Sequence, residues 1–574
     1  MPTEPRKPNV VFVITDDQGY GDLACHGNPV IHTPNLDEMH GESVRLTNFH
    51  VGPTCAPTRA GLMTGRYCNC TGVWHTIGGR SLLRKDEVTM GDVFRAGGYR
   101  TGMFGKWHLG DNYPFRPHDR GFDEAVYHGG GGVSQTPDHW GNDYFDDTYM
   151  VNGEPTKFEG YCTDVWFDQA MAFIERSADA PFLCYVSTNA PHGPFRVADS
   201  YSRRYRGRVP DARARFYGMI TNIDENLARL RAKLRDLDIE RDTILIFMTD
   251  NGTAAGCGLD RDGFVRDGYN AGMRGVKGSE YDGGHRVTFF MRWPAGGLTE
   301  GRDVDTLTAN IDILPTLADM CGIPGPDSSA IHGQSILALV NGDADGWPER
   351  VIVTDSQRVE MPIKWRKSAT MTDRWRLVNG EELYDIRPDP EQRVDVADQH
   401  PAVVETLRGE YERWWETVSE RFDDDPAIII GSEHEPVSRI TCHDWHNEDS
   451  SCAWNQGMVR QGVVCNGDWA IDVARPGVYA FELRRWPREE ALGMTEGMPG
   501  EIMDWFHGGK ALPLQRARVR VGDEEANGEI APTADSATFH FALGAGATRL
   551  QTWLSTDSGE ALGAYYVYAC RTGD

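Results

Sequence analysis

The clearest indication of the architecture is the run NVVFVITDD, from Asn9 to Asp17. Its first seven residues are almost all apolar and mostly β-branched, which is typical of a strand that is buried on both faces of a parallel sheet. The run ends in two carboxylates, Asp16 and Asp17. In open α/β sheets, active sites form beyond the carboxyl ends of the strands. The sequence therefore predicts an α/β protein with functional groups at that edge of its sheet.

Three further strand-like runs also end in polar or ionisable side chains. Residues 243–249 are followed by Asp250 and Asn251, residues 181–187 lead to His192, and residues 99–105 lead to Lys106 and His108. One aspartate after a strand is usually a turn or a helix cap. Four such runs together are difficult to explain by capping, and we expect their polar ends to meet in one cleft.

A second informative stretch is CAPTR, from Cys55 to Arg59. Pro57 suits the first position of a helix because its fixed φ matches and its missing N–H would be unpaired there. Cys55 is then placed beside a helix N-terminus, where free N–H groups and the helix dipole favour an anion. Arg59 adds a fork of donors suited to an oxyanion. The alternative is a buried cysteine before an ordinary helix.

The side chains that follow the runs 9–15 and 243–249 offer only oxygen ligands. They are Asp16, Asp17, Asp250 and Asn251. Clustered carboxylates repel one another unless a cation lies between them. Hard oxygen ligands favour Ca²⁺ or Mg²⁺ over zinc. The sequence therefore predicts a divalent metal site, and the alternative is two separate turns that each contain aspartate.

The motif Cys-x-Pro-x-Arg followed by TGR at residues 64–66 resembles the signature of type I sulfatases, in the alkaline phosphatase-like superfamily. The segment 274–287, which contains Lys277, resembles the sulfatase segment whose lysine contacts sulfate. The resemblance extends over roughly residues 8–420, with the motifs in the expected order. It implies an alkaline phosphatase-like mixed sheet flanked by helices.

The resemblance also implies a mechanism. Cys55 would be converted by a maturation enzyme to formylglycine, whose hydrate attacks sulfur while bound to Ca²⁺, with Mg²⁺ possible. The implied metal ligands are Asp16, Asp17, Asp250, Asn251 and residue 55 itself. The implied catalytic residues are Cys55, Arg59, Lys106, His108, His192, Asp250 and Lys277. Of these, Asp250 accepts the nucleophile's proton and His108 drives sulfate release, whereas either His192 or Lys277 could protonate the leaving alcohol.

The sequence predicts three regions: a catalytic domain over 1–345, a small subdomain with an antiparallel sheet and a helix over 346–425, and an all-β accessory domain over 430–574. Residues 375–378 and 382–386 indicate paired strands, and apolar residues at helical spacing over 403–418 indicate a helix. Later strand-like runs at 477–484, 538–543, 548–554 and 564–568 favour a β-sandwich.

The composition limits the class of partner and the compartment. The net charge is −28, from 58 basic and 86 acidic residues. Such a surface should repel nucleic acid and anionic lipid, so we expect neither as a partner. The segment before the first strand contains no apolar run, so the sequence shows no secretory signal. The cysteines are not arranged in C-x-x-C pairs. We expect a cytoplasmic protein, or a periplasmic or secreted one if a leader has been removed.

The expected activity is hydrolysis of a sulfate ester, and loops containing Trp74 and Trp140 favour a sulfated saccharide as the substrate. Phosphodiester or phosphonate monoester hydrolysis at the same site is one alternative. A non-catalytic protein that binds sulfated glycans is another. In the accessory domain, residues 442–446 could form a metal cluster, a loop that meets the cleft, or ordinary packing. Packing is the favoured interpretation of this loop; if the loop instead borders the cleft, Trp445 should contribute to the binding of a sulfated sugar.

Overall fold

The computed structural model of the protein describes residues 7–573. Its amino-terminal part contains these strands: β1 (Asn9–Thr15), β2 (Val44–Leu46), β3 (Phe49–His50), β4 (Arg100–Lys106), β5 (Glu124–His128), β6 (Thr148–Val151), β7 (Glu154–Lys157), β8 (Phe182–Ser187), β9 (Thr243–Thr249), β10 (Cys257–Leu259), β11 (Val265–Gly268), β12 (Phe289–Arg292), β13 (Arg302–Val304) and β14 (Thr308–Ala309). Its helices are α1 (Pro34–Gly41), α2 (Cys55–Thr64), α3 (Met90–Ala96), α4 (Cys162–Ser177), α5 (Asp199–Ser202), α6 (Asp211–Asp236), α7 (Asp282–His285), α8 (Ile313–Cys321) and α9 (Leu337–Val340).

Ten of these strands form one mixed sheet in the order β13-β2-β12-β9-β1-β8-β4-β5-β6-β7. The four strand-like runs of the sequence are its adjacent members β9, β1, β8 and β4, and they are parallel to one another. Parallel neighbours place their carboxyl ends at one edge of the sheet. The predicted α/β sheet is therefore confirmed, together with the meeting of its polar strand ends.

Helices cover both faces of this sheet, which explains why every residue of β1 is buried. Alternate side chains of a strand point to opposite faces. Val10, Phe12 and Ile14 join one hydrophobic core, which α2, α3 and α8 also line. Val11 and Val13 join the other core, which α4 and α6 line. A continuous apolar run is what such two-sided burial requires.

A second, four-stranded antiparallel sheet follows, in the order β15 (Ile352–Asp355), β16 (Ser368–Met371), β17 (Trp375–Val378) and β18 (Glu382–Asp385). Helix α10 (Pro401–Ser419) packs on it through Leu407, which lies in one core cluster with Leu377 and Leu383. The predicted pair of strands and the predicted helix are confirmed.

The remaining elements are β19 (Ile428–Ile430), β20 (Val437–Thr441), α11 (Gln456–Gln461), β21 (Asp468–Val473), β22 (Gly477–Arg484), β23 (Leu514–Val521), β24 (Glu524–Glu529), β25 (Ala537–Leu543), β26 (Gly546–Thr556), β27 (Ala561–Leu562) and β28 (Tyr566–Gly573). They form one six-stranded and one four-stranded sheet around a shared hydrophobic core. The additional all-β region is confirmed, and the boundaries 1–345, 346–425 and 430–574 stay predictions.

No helix within residues 7–573 combines the length and apolar character that crossing a membrane requires. Most of the segment before β1, in which the sequence shows no apolar run, lies outside the described residues.

Candidate active site

Cys55 is the first residue of α2, and all ten residues of this helix are buried. Pro57 is the third residue of the helix, so its predicted place at the first position is wrong by two residues, although its missing N–H still belongs to the unpaired first turn. Only 2% of the Cys55 surface is exposed. The first N–H groups of a helix have no partner within the helix, and they carry the positive end of its dipole. Residue 55 is therefore placed where a negative charge on its side chain is stabilised.

The carboxylates meet because β1 and β9 are paired in register up to Thr15 and Thr249. The next residues, Asp16 and Asp250, thus come to lie side by side. One ligand atom from each of Asp16, Asp250 and Cys55 lies within 4.8 Å of the others. The strand pairing therefore assembles the predicted ligands from distant parts of the chain.

Two oxygens in this cluster fit a bound cation. The Oδ1 atoms of Asp16 and Asn251 are buried and have no hydrogen-bond partner among residues 7–573. The Nδ2 atom of Asn251 donates to Asp17 Oδ1 over 3.0 Å, which leaves the amide oxygen as the available ligand. An unpaired buried polar atom costs about 1–3 kcal/mol. A hard cation such as Ca²⁺ would satisfy both oxygens.

Two buried cations neutralise the deepest carboxylates. Lys106 Nζ lies 2.7 Å from Asp16 Oδ2, and Arg59 Nη2 lies 2.9 Å from Asp250 Oδ2. All four side chains are at most 1% exposed. Burial, and then the neighbouring Asp16, raise the pKa of Asp250 to about 7, although Arg59 opposes the shift. The position of Asp250 therefore suits a group that exchanges a proton with residue 55.

A third cation, Lys277, is partly exposed to solvent. Lys277 Nζ lies 2.6 Å from Asp17 Oδ1, and 16% of the lysine side chain is exposed. Burial opposes ionisation of Asp17, but attraction from Lys277, His192 and Lys106 is stronger and holds the pKa of that carboxyl well below its usual value. Asp17 is thus a carboxylate and Lys277 an ammonium group, and this lysine is the cation best placed to meet an incoming anion.

His108 is arranged as a neutral base. Its Nε2 donates to the carbonyl of Thr76 over 2.9 Å, so the proton of the neutral ring resides on Nε2. The other ring nitrogen, Nδ1, is buried and has no hydrogen-bond partner within the described chain. Burial, followed by the charge of Lys106, lowers the pKa of His108 well below its ordinary value. Nδ1 is therefore free to accept a proton.

His192 lies on the same side of the site as Lys277. Its Nδ1 donates to the carbonyl of Gly193 over 2.6 Å, and its Nε2 lies 3.6 Å from Asp17 Oδ2. Burial lowers the pKa of His192 to about 3, although Asp17 opposes the shift. His192 and Lys277 thus both converge on Asp17, whereas His108 donates to a different loop.

Comparison with known proteins agrees with this geometry. The family model "Sulfatase" matches residues 8–323, which is more than half of the chain. The model "N-sulphoglucosamine sulphohydrolase, C-terminal" matches residues 277–414.

The chain belongs to the sulfatase family.

Named relatives and a solved structure extend the comparison. This sulfatase is 32% identical to arylsulfatase A of Homo sapiens over 365 residues, which cover 59% of this chain and 68% of the relative. It is 28% identical to an N-acetylgalactosamine-6-O-sulfatase of Bacteroides thetaiotaomicron, over 70% of this chain and 92% of the relative. It resembles the crystal structure of Ps i-CgsB in complex with k-i-k-neocarrahexaose, with a TM-score of 0.63 and 24% identity, over 73% of this chain and 99% of that one.

The relatives are named sulfatases, so the protein is a sulfuric ester hydrolase with the alkaline phosphatase-like fold. Neither family model extends past residue 414. The C-terminal sheets of this sulfatase, from β19 onwards, therefore lie outside both models.

The structure adds two residues that the sequence analysis missed. Ser187, at the end of β8, donates to the Lys106 carbonyl over 2.7 Å and accepts a hydrogen bond from Arg59. Gly131 lies so close to His108 that a Cβ atom on it would be 2.2 Å from Cε1 of the ring. Ser187 gave no recognisable signal, whereas Gly131 belongs to a visible run of four glycines at residues 129–132.

The expected aromatic sugar platforms are wrong. Trp74 is 1% exposed and Trp140 is 8% exposed, so neither offers a ring face to solvent. Trp445 is fully buried, with its ring centroid 5.5 Å from that of Trp469 in the core between the two C-terminal sheets. Packing is the role of these side chains. However, the residues beside Trp445 do reach the site, because the ring of His443 lies 6.2 Å from that of His108.

Proposed function

We propose that this sulfatase hydrolyses sulfate esters of carbohydrates, with Cys55 converted to formylglycine and with a calcium ion at the cluster of oxygen ligands. The observation that carries the proposal is the position of Cys55, at a helix N-terminus beside buried carboxylates and unpaired oxygens. The named N-acetylgalactosamine-6-sulfatases among its relatives support a saccharide substrate.

The ligands proposed for the metal are Asp16, Asp17, Asp250, Asn251 and the modified residue 55. A thiol is a soft donor that matches Ca²⁺ poorly, whereas the hydroxyl groups of a hydrated aldehyde are hard oxygen donors. The modification and the metal are therefore chemically consistent with each other. When bound, the ion supplies positive charge that makes a hydroxyl more acidic and stabilises the oxygens around sulfur. Mg²⁺ is possible with the same donors.

The first chemical step transfers the sulfonate group to residue 55. One hydroxyl of the aldehyde hydrate loses its proton to Asp250, and its oxygen attacks sulfur while the bond from sulfur to the substrate alcohol breaks. Lys277 neutralises charge on the sulfonate oxygens. His192 and Lys277 both remain candidates for giving a proton to the leaving alcohol, because both lie beside Asp17; His192 can do so only when its Nε2 is protonated in the complex with substrate.

The second step releases sulfate. Nδ1 of His108 removes the proton of the remaining hydroxyl, the C=O bond of the aldehyde forms again, and the bond between carbon and the sulfate oxygen breaks. Arg59 and Lys106 keep the carboxylates and the helix end in position. A serine ester has no second hydroxyl and could not eliminate sulfate in this way. The aldehyde thus explains why a cysteine, the precursor that a maturation enzyme oxidises, occupies position 55.

The test is the release of free sulfate from a panel of defined sulfated sugars, with matched phosphate monoesters, phosphodiesters and phosphonates as comparison substrates. We expect turnover of at least one sulfated sugar and much slower reaction of the phosphorus esters. Preferred turnover of a phosphodiester or phosphonate would contradict the proposal. Binding of sulfated sugars without any release of sulfate would do so as well, provided that residue 55 is modified.

A further inference from the structure

The loop Cys442–Asp444 brings a histidine from the C-terminal sheets to the catalytic centre. It follows β20 directly and lies outside both family models. The ring centroid of His443 is 6.2 Å from that of His108. Since His108 acts at residue 55 in the proposed mechanism, His443 lies next to the place where the sulfate ester must be held.

The loop is fixed firmly on both sides. The amide of Gly78 donates to the carbonyl of His443 over 2.7 Å, and the amide of Cys442 donates to the carbonyl of Tyr565 over 2.9 Å. Gly78 is two residues from Thr76, whose carbonyl orients the ring of His108. The same turn thus holds the backbone of His443 and the ring of His108.

The hydrogen bonding of His443 leaves one atom available. Its Nδ1 lies 3.3 Å from Asp444 Oδ1, and because a carboxylate only accepts, Nδ1 carries the proton. Nε2 of the neutral ring is then an acceptor. Nε2 is buried and has no hydrogen-bond partner in the chain from residue 7 to residue 573. A buried acceptor without a partner is unfavourable, so a ligand that donates to it gains affinity.

The chemistry of this atom restricts what it can bind. Sulfate and carboxylate oxygens have no hydrogen to donate, and they are met by Lys277 on the Asp17 side of the site. A hydroxyl group can donate to Nε2. Saccharides differ from simple aryl sulfates because they carry hydroxyl groups on the carbons next to the sulfated one.

We propose that His443 is a substrate-binding residue that accepts a hydrogen bond from a hydroxyl group next to the sulfate ester of a saccharide. This inference rests on the proposed sulfatase activity and specifies its substrate class. It also assigns a role to the C-terminal sheets, which is to bring a residue that the family models do not cover to the side of His108.

The experiment compares His443→Ala with the parent protein, both carrying formylglycine at residue 55. The substrates are a sulfated sugar and a small aryl sulfate without a neighbouring hydroxyl. We expect the ratio of kcat/KM for the sugar to kcat/KM for the aryl sulfate to fall about tenfold, the scale of one lost hydrogen bond. His443→Gln keeps an acceptor and should recover part of this ratio. His540→Ala, on an exposed residue of β25, is the matched control and should leave the ratio unchanged.

A deoxy analogue of the sugar sulfate, which lacks the neighbouring hydroxyl, identifies the contact. The parent protein and His443→Ala should turn over this analogue at similar rates, because the hydrogen bond from the hydroxyl to His443 is already absent. Equal loss on sugar and aryl sulfates, or an unchanged ratio in His443→Ala, would overturn the proposal. Turnover of neither substrate by the parent protein, with residue 55 converted to formylglycine, would instead contradict the proposed sulfatase function.

Discussion

At the scale of single residues, the unpaired oxygens of Asp16 and Asn251 predict a dependence on metal. Removal of the ion by a chelator, or the substitution Asp16→Asn, should lower kcat/KM by about 10² or more, the scale of a lost charge-stabilising group. Added Ca²⁺ should restore the chelated protein. Elemental analysis alongside the rates is the measurement, and full activity of protein shown to be free of metal would contradict the site.

The two histidines should fail at different steps. His108 is assigned to sulfate release, so His108→Ala should complete one transfer and then accumulate sulfated residue 55. His192 lies beside Lys277 and Asp17, so His192→Ala should slow the first transfer, most strongly for poor leaving alcohols.

Intact-mass measurement after substrate addition separates these two outcomes. A trapped adduct in His192→Ala, and none in His108→Ala while slow turnover persists, would reverse the assignment.

At the scale of elements, the glycine run at residues 129–132, after β5, packs beside His108 and His192. In Gly131→Ala the new methyl would lie 2.2 Å from the His108 ring, which cannot shift freely because Thr76 holds it. In Gly132→Ala the nearest atoms are at 3.4 Å or more, which is ordinary contact. We expect Gly131→Ala to lose roughly 10²-fold in kcat, since a displacement of about 1 Å can cost that much.

Gly132→Ala is the matched control and should lose far less. Rates and thermal denaturation should be measured together for both variants. If Gly131→Ala were as active as Gly132→Ala, the close packing of Gly131 on His108 would not matter for catalysis.

The strand elements also indicate how far the sequence could lead. Continuous apolar runs are typical of buried strands, so the sequence could predict β9, β1, β8 and β4. It could also predict the polar residues at their ends, Asp16, Asp250 and Lys106. The family motif added Cys55 and Lys277. Contacts between side chains are not encoded in such patterns. The role of Ser187 could therefore not be predicted.

The burial of aromatic residues could not be predicted from the sequence either. A tryptophan in a polar loop could be a sugar platform or a core side chain, and sequence alone cannot measure its burial. Trp74, Trp140 and Trp445 are all core residues. His443, two positions before Trp445, reaches the site because the loop turns at residues 442–444. Only the packing of the C-terminal sheets on the turn at Gly78 decides this.

At the scale of the whole molecule, Trp445 should matter for stability. Trp445→Ala should lower the free energy of unfolding by about 3–5 kcal/mol, as expected for removal of a buried indole. Met503, which is 80% exposed, provides Met503→Ala as a control that should change little. Chemical denaturation followed by circular dichroism is the measurement. An unchanged midpoint for Trp445→Ala would contradict its place in the core.

The whole molecule is strongly acidic, whereas its active site must bind an anionic substrate. A net charge of −28 repels anions at a distance, so a sulfated substrate must be attracted locally. Arg59 and Lys106 are buried against carboxylates, whereas Lys277 is partly exposed to solvent. Lys277 is therefore the partly exposed cation that we assign to the sulfate group.

The most direct test of the account is the mass of the peptide that contains residue 55, taken from protein that releases sulfate from a sulfated sugar. The account predicts an aldehyde at this position in active protein, and a thiol with loss of activity when the maturation enzyme is absent. An unmodified Cys55 thiol in fully active protein would contradict the formylglycine mechanism.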